Sequence, residues 1–427
     1  MMTKILIKPI VILFLVSTMT VPAQHLSQSA KGELTHATKP TSEGELRTMI
    51  PAIFADAQQQ YRGMLKQMEA HPGLLPRTVD KGKFSAVKPD DWTSGFFPGS
   101  LWYLYEFTKA EEWKVAAKDY TARLEKIRHY TGNHDVGFML YCSYGNGLRL
   151  AAVPGYKEVL LDGAKALSTR YNDKLGLIRS WDSYTFPVII DNMMNLELLM
   201  WSARNSGGAR CETIARSHAD MTLKNHFRTD GSAYHILDYN PETGKIAGYY
   251  SGQGQSKEGP WARGQSWGLY GFTMMYRETK DRRYLEQATG IADFLISHKK
   301  LPADGVPYWD YDAPDIPTAW RDASAAAIMA SALLELSATV DAGKAKRYRE
   351  MAVKQLCTLS SPSYRAAPGT NGNFLLMHSV GNLPKNYEID VPLNYADYYY
   401  LEALLRVWKS GQVQEEALVN PGKGLLR

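Results

Sequence analysis

The feature that most limits the fold of this chain is a long series of helical patterns of two alternating kinds. About twelve segments show helical periodicity, and few show the alternation expected of β-strands. One kind carries many charged residues, as in residues 113–129 and 343–358, whereas the other is small or apolar on most faces, as in 321–337. A helix that is apolar all round is buried and an amphipathic helix lies outside it. We therefore expect an outer and an inner shell of helices.

Taken in order, the segments form six consecutive pairs, each with the more charged helix first. Six antiparallel pairs with short returns close into a ring, so the pattern predicts an all-α (α/α)6 toroid with a small β-hairpin arm over 234–250. The predicted pairs are 45–70 with 97–108, 113–129 with 136–150, 157–171 with 188–203, 211–226 with 263–278, 282–298 with 321–337, and 343–358 with 392–409.

The two ends of the chain differ from this pattern. Residues 1–23 are typical of a secretory signal peptide, with Lys4 and Lys8 before a short apolar run and a small-residue exit at Ala23. That run is too short to span a bilayer. We expect a linker over 24–43, the toroid over 44–412 and a C-terminal tail over 413–427. The protein is then expected to be periplasmic or secreted, with no membrane insertion.

Composition and motifs exclude several classes of function. The formal charge of +5 is too small for a nucleic-acid-binding surface. The three cysteines are far apart and show no metal-ligand spacing, so we expect buried thiols. The chain has no P-loop, dinucleotide glycine fingerprint, HExxH or GxSxG motif. Nucleotide-driven, zinc-dependent and serine-dependent chemistry are therefore not expected.

The unusual Gly-, Trp- and Asp-rich segments lie just before the predicted inner helices. In a toroid the inner helices are parallel, so these segments meet at one mouth, where loops on a rigid scaffold form a site. This placement favours an enzyme. The segments are 91–99, 132–138, 179–182, 261–267, 308–312 and 387–390.

The stretch 186–196 contains the strongest candidate for acid–base catalysis. Pro187 suits the first turn of a helix, which puts Asp191 in the early turns of an apolar helix. Burial raises the pKa of such a carboxyl, whereas the helix N-terminus lowers it. A structural reading, in which Asp191 is a helix cap or a buried and satisfied carboxylate, is equally consistent with the sequence.

The other segments add further candidates with their own alternatives. Asp135 starts the adjacent inner helix and can share acid and base roles with Asp191. His134 binds a hydroxyl or caps a helix, and His235 on the predicted hairpin points into the cleft or away from it. Arg263 clamps a carboxylate, with Trp267 as a stacking face, or pairs with a structural Asp. Asp322 reads as a helix cap, and Asp310 and Asp312 as loop ligands or turn formers.

The chain from Val87 to Trp408 resembles the unsaturated glucuronyl hydrolases of glycoside hydrolase family 88. Four segments in this order carry the resemblance: 134–138, 190–195, 261–267 and 308–310. The resemblance implies an (α/α)6 barrel that acts on the 4,5-unsaturated uronic acid left by polysaccharide lyases. The expected reaction protonates C4 of the enol ether and adds water at C5, and the hemiketal then opens and releases the sugar. No metal or organic cofactor is implied.

The resemblance also implies roles for individual residues. Asp191 matches the general acid/base, and Asp135 the second essential carboxylate. The substrate-binding positions are Trp92, His134, Trp181, His235, Gln253, Arg263 and Trp267. Lys385, in the stretch 378–385, resembles a loop position that meets the next sugar in glycosaminoglycan-directed members, and it either binds a sulfate or is an ordinary solvated lysine.

The function expected from the sequence is removal of the terminal unsaturated uronic acid from lyase-generated glycosaminoglycan oligosaccharides. The segment 255–260 departs from the acidic, Ser-rich turn of many relatives, which affects the subsites and not the reaction. The alternatives are an unsaturated rhamnogalacturonyl hydrolase acting on pectin fragments and a non-catalytic sugar-binding toroid. A toroid epimerase is disfavoured because the inner helices carry no matching pair of catalytic histidines. The sequence does not give the oligomeric state.

Overall fold

The computed structural model of this chain describes residues 38–419, with side chains to residue 412. The predicted signal peptide lies outside the described residues, as does most of the predicted linker. The side chains of the predicted C-terminal tail also lie outside them. No helix among the described residues is long and apolar enough to cross a membrane.

Twelve helices form the frame of the described part of the chain, and they match the six predicted pairs closely. The fourth helix is interrupted by a π-helical turn over Tyr141–Gly145, where a continuous helix was predicted. The helices are α1 Glu43–Met68, α2 Phe96–Thr108, α3 Glu111–Ala122, α4 Val136–Leu140 continuing through the π turn to Asn146–Ala151, α5 Tyr156–Ser168, α6 Asn192–Arg204, α7 Ala209–Asn225, α8 Ala262–Thr279, α9 Arg282–Ser297, α10 Ala323–Ser337, α11 Ala342–Leu359 and α12 Asn394–Val419.

The even-numbered helices form the inner ring. Contacts run from α2 to α4, α6, α8, α10 and α12 in turn, and α12 closes the ring against α2. The odd-numbered helices pack outside their partners, as α9 does on α8 and α11 on α10. All but two of the fifteen residues of α10 are buried, as expected for a helix without a polar face. The predicted (α/α)6 toroid is confirmed.

Short antiparallel strands decorate one end of the ring. They are β1 Leu75–Asp80 with β2 Lys83–Val87, β3 Tyr171–Asn172 with β4 Leu177–Ile178, the three-stranded sheet β5 Pro187–Ile189, β6 Ile236–Tyr239 and β7 Ile246–Tyr250, and β8 Ser379–Asn382 with β9 Tyr387–Val391. The strands β6 and β7 confirm the predicted hairpin arm over 234–250.

The prediction that Pro187 starts a helix is wrong. Pro187 begins strand β5, at the edge of the sheet and opposite Asp238 of β6. An edge position tolerates the missing N–H of proline, and the β-branched residues that follow favour a strand. The helix begins only at Asn192. Asp191 therefore lies at the junction between strand β5 and the helix.

Ion pairs join the inner helices at the end opposite the short strands. Arg149 of α4 and Lys409 of α12 both bind Glu106 of α2. Arg277 of α8 binds Glu197 of α6 and Glu335 of α10, and Arg406 of α12 also binds Glu335. These pairs connect all six inner helices in one open chain of contacts that runs from α4 through α2, α12, α10 and α8 to α6.

Candidate active site

The predicted mouth forms where the N-terminal ends of the inner helices meet. The backbone N–H of His134 donates to the carbonyl of Ser180 over 3.1 Å. Trp261 forms an isolated β-bridge with Asp310, and the ring of Trp92 lies 5.8 Å from that of Phe138. Segments from different hairpins are thus in direct contact, as their common position before inner helices predicted.

Asp191 lies at the start of α6, immediately after the β5 region, and is 7% exposed. Its side chain makes no capping hydrogen bond, so the cap alternative does not describe it. Burial raises the pKa of Asp191 to about 7, against an opposing effect of the Arg263 charge. Oδ2 of Asp191 has no hydrogen-bond partner among the described residues. The carboxyl is therefore protonated near neutral pH and free to act on a bound molecule.

His235 points into the cleft and faces Asp191, which decides the question that the sequence left open. Its Nε2 lies 3.8 Å from Oδ2 of Asp191, and the imidazole stacks on Trp261 with centroids 4.4 Å apart. Its Nδ1 lies 2.7 Å from the carbonyl oxygen of Ser251 and 3.1 Å from the backbone nitrogen of Gln253. Because a carbonyl oxygen can only accept and its contact is the shorter, we assign the proton to Nδ1. Burial lowers the pKa of His235 to about 3. A neutral imidazole thus presents an acceptor nitrogen to Asp191.

Asp135 is the second buried carboxyl at the mouth, directly before α4. Burial raises its pKa well above the usual range, and the negative charges of Asp191 and Asp91 raise it further. The Nε2 of His134 lies 3.5 Å from Oδ1 of Asp135, and burial lowers the pKa of His134 to about 3. The electrostatic coupling places Asp135 and Asp191 in one site, as paired acid and base groups require.

Close contact between α4 and α6 brings these two carboxyls together. A Cβ at Gly137 would lie 2.6 Å from the Cα of Asn195, so only glycine fits there. The side-chain oxygen of Asn195 accepts the backbone N–H of Phe138 over 2.8 Å and locks the two helices. The sequence analysis assigned no role to Gly137 or Asn195, although both lie in the segments that carry the family resemblance.

Arg263 is fully buried, and its guanidinium is largely occupied by protein groups. Its Nη1 binds Oδ2 of Asp322 at 3.2 Å and the carbonyl of Val380, and Nη2 donates to the carbonyl of Gly381 over 2.7 Å. This is the structural pairing that the sequence left as the alternative to a carboxylate clamp. Asp322 also caps α10 through Ser324, as predicted. Arg263 thus ties hairpin β8–β9 to the mouth.

The tryptophans predicted at the cleft fall into two groups. Trp92 and Trp181 are partly exposed at the mouth, with Trp181 edge-on to His134 at 6.3 Å. Trp267 is fully buried, packed against Phe138 and Tyr399 at 5.1 and 5.3 Å. The stacking face predicted for Trp267 is therefore covered, because its position one turn into α8 points it into the ring. It forms part of an aromatic floor below the site.

Gln253 lies on the segment 251–260, which Asp310 holds in place. The amide of Gln253 donates to the carbonyl of Gly381 over 2.9 Å. The buried carboxylate of Asp310 accepts the backbone N–H groups of Gln255 and Asp312 at 2.9 and 2.8 Å. Asp310 is therefore a turn former, one of the two roles considered for it, and it fixes the loop that carries Gln253.

Hairpin β8–β9 forms one rim of the mouth, with the exposed Lys385 in its connecting turn. Arg77 anchors this hairpin through Glu388, which it binds at 2.5 Å, and it also binds Asp91 at 2.7 Å. Glu388 lies in the segment 387–390 predicted at the mouth, whereas Arg77 lies in none of the predicted segments. Their pairing joins residues 311 positions apart and is not visible in the sequence.

Among the described residues, no group of three or more His, Cys, Asp or Glu side chains is arranged to hold a metal ion. The three cysteines are buried and free, as predicted. The site therefore consists of two buried carboxyls, two neutral histidines and an aromatic wall within a ring of helices.

Comparison with known proteins finds relatives in the family that the sequence resembles, although no family model matches the chain. An unsaturated glucuronyl hydrolase from Formosa agariphila is 46% identical over 338 residues, which cover 78% of this chain and 82% of that protein. A crystal structure of an unsaturated glucuronyl hydrolase specific for heparin is 46% identical with a TM-score of 0.81, covering 84% of this chain and 98% of that one. The structure of an Asp-to-Asn variant of an unsaturated glucuronyl hydrolase with dGlcA-Glc-Rha-Glc is 28% identical with a TM-score of 0.78. The match covers 84% of this chain and 96% of that one.

The similarity extends over most of the chain. A relative at this identity and coverage shares the fold and the family, and the toroid with paired buried carboxyls agrees with it. The protein is a glycoside hydrolase and belongs to the unsaturated glucuronyl hydrolases.

Proposed function

We propose that this enzyme removes the 4,5-unsaturated uronic acid from the non-reducing end of lyase-generated glycosaminoglycan oligosaccharides. The observation that carries the proposal is Asp191, a buried carboxyl at the mouth whose pKa is raised to about 7 and whose Oδ2 is unpartnered within residues 38–419. A carboxylic acid that keeps its proton near neutral pH is what protonation of an enol ether requires.

In the proposed reaction Asp191 transfers its proton to C4, and the π electrons of the double bond form the new C–H bond. Positive charge develops at C5 and on the ring oxygen, beside the buried carboxyl of Asp135, which orients the substrate. Asp191, now ionised, accepts a proton from the water that adds to C5, which restores the acid. The resulting hemiketal opens and releases the remaining sugar. Between these two proton transfers, the positive charge of Arg263 favours the ionised state of Asp191.

Binding of the uronate ring is proposed for the residues whose side chains reach the mouth. They are Trp92, His134, Trp181, His235 and Gln253. Arg263 acts mainly by positioning, since both of its terminal nitrogens bind protein groups. Lys385, exposed in the β8–β9 turn, is proposed to meet the next sugar.

The test follows the ultraviolet absorbance of the conjugated enol-ether carboxylate in lyase-generated disaccharides. We expect purified protein to abolish the band from chondroitin or heparin lyase products, and Asp191→Asn to lose roughly 10²- to 10⁴-fold in rate. Asp173→Asn, an exposed carboxylate paired with Arg210 of the outer helix α7, is the matched control and should keep full activity. A rate for Asp191→Asn near that of wild type contradicts the mechanism.

The same assay separates the competing functions. Loss of the band only with pectin lyase products identifies a rhamnogalacturonyl hydrolase. A constant band with measurable heat of binding identifies a sugar-binding protein.

We also propose that the protein is exported to the periplasm or secreted, on the strength of the signal-like residues 1–23. Mass spectrometry of the protein from fractionated producing cells tests this. Export predicts a mature chain that begins after Ala23, whereas a cytoplasmic chain that retains residues 1–23 contradicts it.

A further inference from the structure

Exposed aromatic side chains are concentrated beside the active site. Six large apolar or aromatic side chains are exposed among the described residues, and three of them, Tyr184, Tyr249 and Tyr250, belong to the sheet β5–β6–β7 and its adjoining loop. Single exposed apolar residues need no explanation, but a cluster next to a site marks a binding surface.

The rings of Tyr184 and Tyr250 stack on each other with centroids 4.7 Å apart and an interplanar angle of 28°. Tyr184 follows Trp181 on its loop, and Tyr250 directly precedes Ser251, whose carbonyl binds His235. The stack therefore joins the two segments that carry Trp181 and His235 to the mouth.

The register of the sheet shows which way Tyr250 faces. Ile189, Ile236 and Tyr250 are directly paired across the three strands, so their side chains share one face. Val188, Leu237 and Tyr249 share the opposite face, where Val188 and Leu237 pack into a separate apolar cluster with Leu177. Tyr250 thus lies on the face of Ile189, two residues before Asp191.

Charged side chains lie beside Tyr184. Arg170 and Arg179 share the single carboxylate of Asp182, at 3.0 and 3.2 Å, and Arg179 is the accessible cation, with 30% of its side chain exposed against 7% for Arg170. Arg179 also donates to the carbonyl of Tyr184 over 2.9 Å and so fixes the loop. Flat aromatic faces next to a cation suit an anionic sugar ring, whose C–H face packs on the rings while its acid group meets the charge.

We propose that the Tyr184–Tyr250 stack and the adjoining Arg179 form a binding platform for sugar units beyond the unsaturated uronate. The proposal rests on the proposed function. Because the unsaturated ring is the terminal unit of the substrate and binds at Asp191, the rest of the chain must extend outwards over the rim. The platform would favour longer anionic oligosaccharides over disaccharides.

The experiment compares kcat/KM for the unsaturated disaccharide and tetrasaccharide from one glycosaminoglycan lyase digest. We expect wild type to prefer the tetrasaccharide, and Tyr184→Ala and Tyr250→Ala to lower the tetrasaccharide-to-disaccharide ratio roughly threefold to tenfold. Tyr249→Ala is the matched control, since Tyr249 has the same 39% exposure as Tyr250 and lies on the opposite face. Added salt should weaken the preference of wild type.

The possible results separate the two proposals. Wild-type turnover of both substrates, with the same ratio in all variants, overturns the platform and leaves the proposed function intact. The platform is also overturned if Tyr249→Ala lowers the ratio as much. Turnover of neither substrate overturns both proposals. If Tyr250→Ala fails to fold, Tyr250→Leu retains an apolar cover for Ile236 while removing the ring, and it should lower the ratio equally.

Discussion

Oδ2 of Asp191 and Nε2 of His235 face each other at 3.8 Å, and neither atom has a hydrogen-bond partner among the described residues. Buried polar atoms without partners are costly, and this pair lies at the mouth, where a bound molecule can supply the partner for both. The neutral imidazole leaves Asp191 its proton, whereas an imidazolium would favour the ionised carboxylate. The pair thus keeps the general acid in its active form.

The pH dependence of catalysis should follow Asp191. Since the acid must be protonated in the free enzyme and its pKa is raised to about 7, we expect kcat/KM to fall as the pH rises through about 7. The measurement is kcat/KM from the absorbance assay across the neutral range. Activity that instead increases steadily with pH through this range would rule out Asp191 as the proton donor.

The raised pKa of Asp191 should also make the free energy of unfolding depend on pH. Between the ordinary pKa of 3.8 and the raised value of about 7, the native state holds a proton that the unfolded chain has lost. The contribution of Asp191 to stability therefore falls as the pH rises through this window. We expect Asp191→Asn, which cannot ionise, to gain stability relative to wild type between about pH 4 and about pH 7. Urea unfolding of both proteins at about pH 4 and about pH 7 measures the difference in their free energies of unfolding. The same difference at both pH values would contradict the raised pKa of Asp191.

Arg263 should influence the site in two separable ways. Its charge lowers the pKa of Asp191, and its Nη groups hold the carbonyls of Val380 and Gly381. We expect Arg263→Gln to shift the alkaline limb of the pH profile to higher pH and to raise KM. Arg263→Lys keeps the charge and loses the bidentate contact, so it should raise KM with the limb little changed. Equal limb shifts in both variants would refute this division.

Asp310 should act through the loop that carries Gln253. Asp310→Asn replaces one carboxylate oxygen with an N–H donor, so either Gln255 or Asp312 loses its acceptor. We expect kcat/KM to fall about tenfold, by displacement of Gln253 and of the Ser251 carbonyl beside His235. Asp312→Asn, an exposed neighbour paired with Lys300, is the control and should behave as wild type. Equal losses in the two variants would exclude a specific positioning role.

The ion pairs at the opposite end should affect stability and leave catalysis unchanged. Glu335 binds both Arg277 and Arg406, and its pKa is lowered by their charges despite its burial. Glu335→Gln leaves Arg277 and Arg406, whose side chains are 34% and 27% exposed, with one carboxylate fewer, so we expect a loss of roughly 1 to 3 kcal/mol in the free energy of unfolding. Glu350→Gln, at an exposed pair on α11, should cost less than about 1 kcal/mol. Thermal melting with kcat/KM measured in parallel would reveal any unexpected effect on activity.

Much of the fold could be predicted from the sequence because helical periodicity and burial are local properties. The alternation of charged and apolar helices predicted the ring, and the positions of Asp135, Asp191 and Arg263 before or at the start of inner helices predicted that they meet. The error at Pro187 had a local cause as well, since proline suits both a first helical turn and an edge strand. Only the partner strand β6 decides between them.

The sequence by itself determined the toroid, the mouth and the residue types available for acid–base chemistry, because these depend on spacing along the chain. Tertiary structure decided what each side chain does there. It turned His235 towards Asp191, buried Trp267 in the aromatic floor and engaged Arg263 with Asp322 and hairpin β8–β9. The reason is physical. The pKa of a carboxyl, and the number of guanidinium N–H groups left free to bind a ligand, depend on partners that lie far away in the sequence or on another helix. Spacing along the chain does not specify those partners.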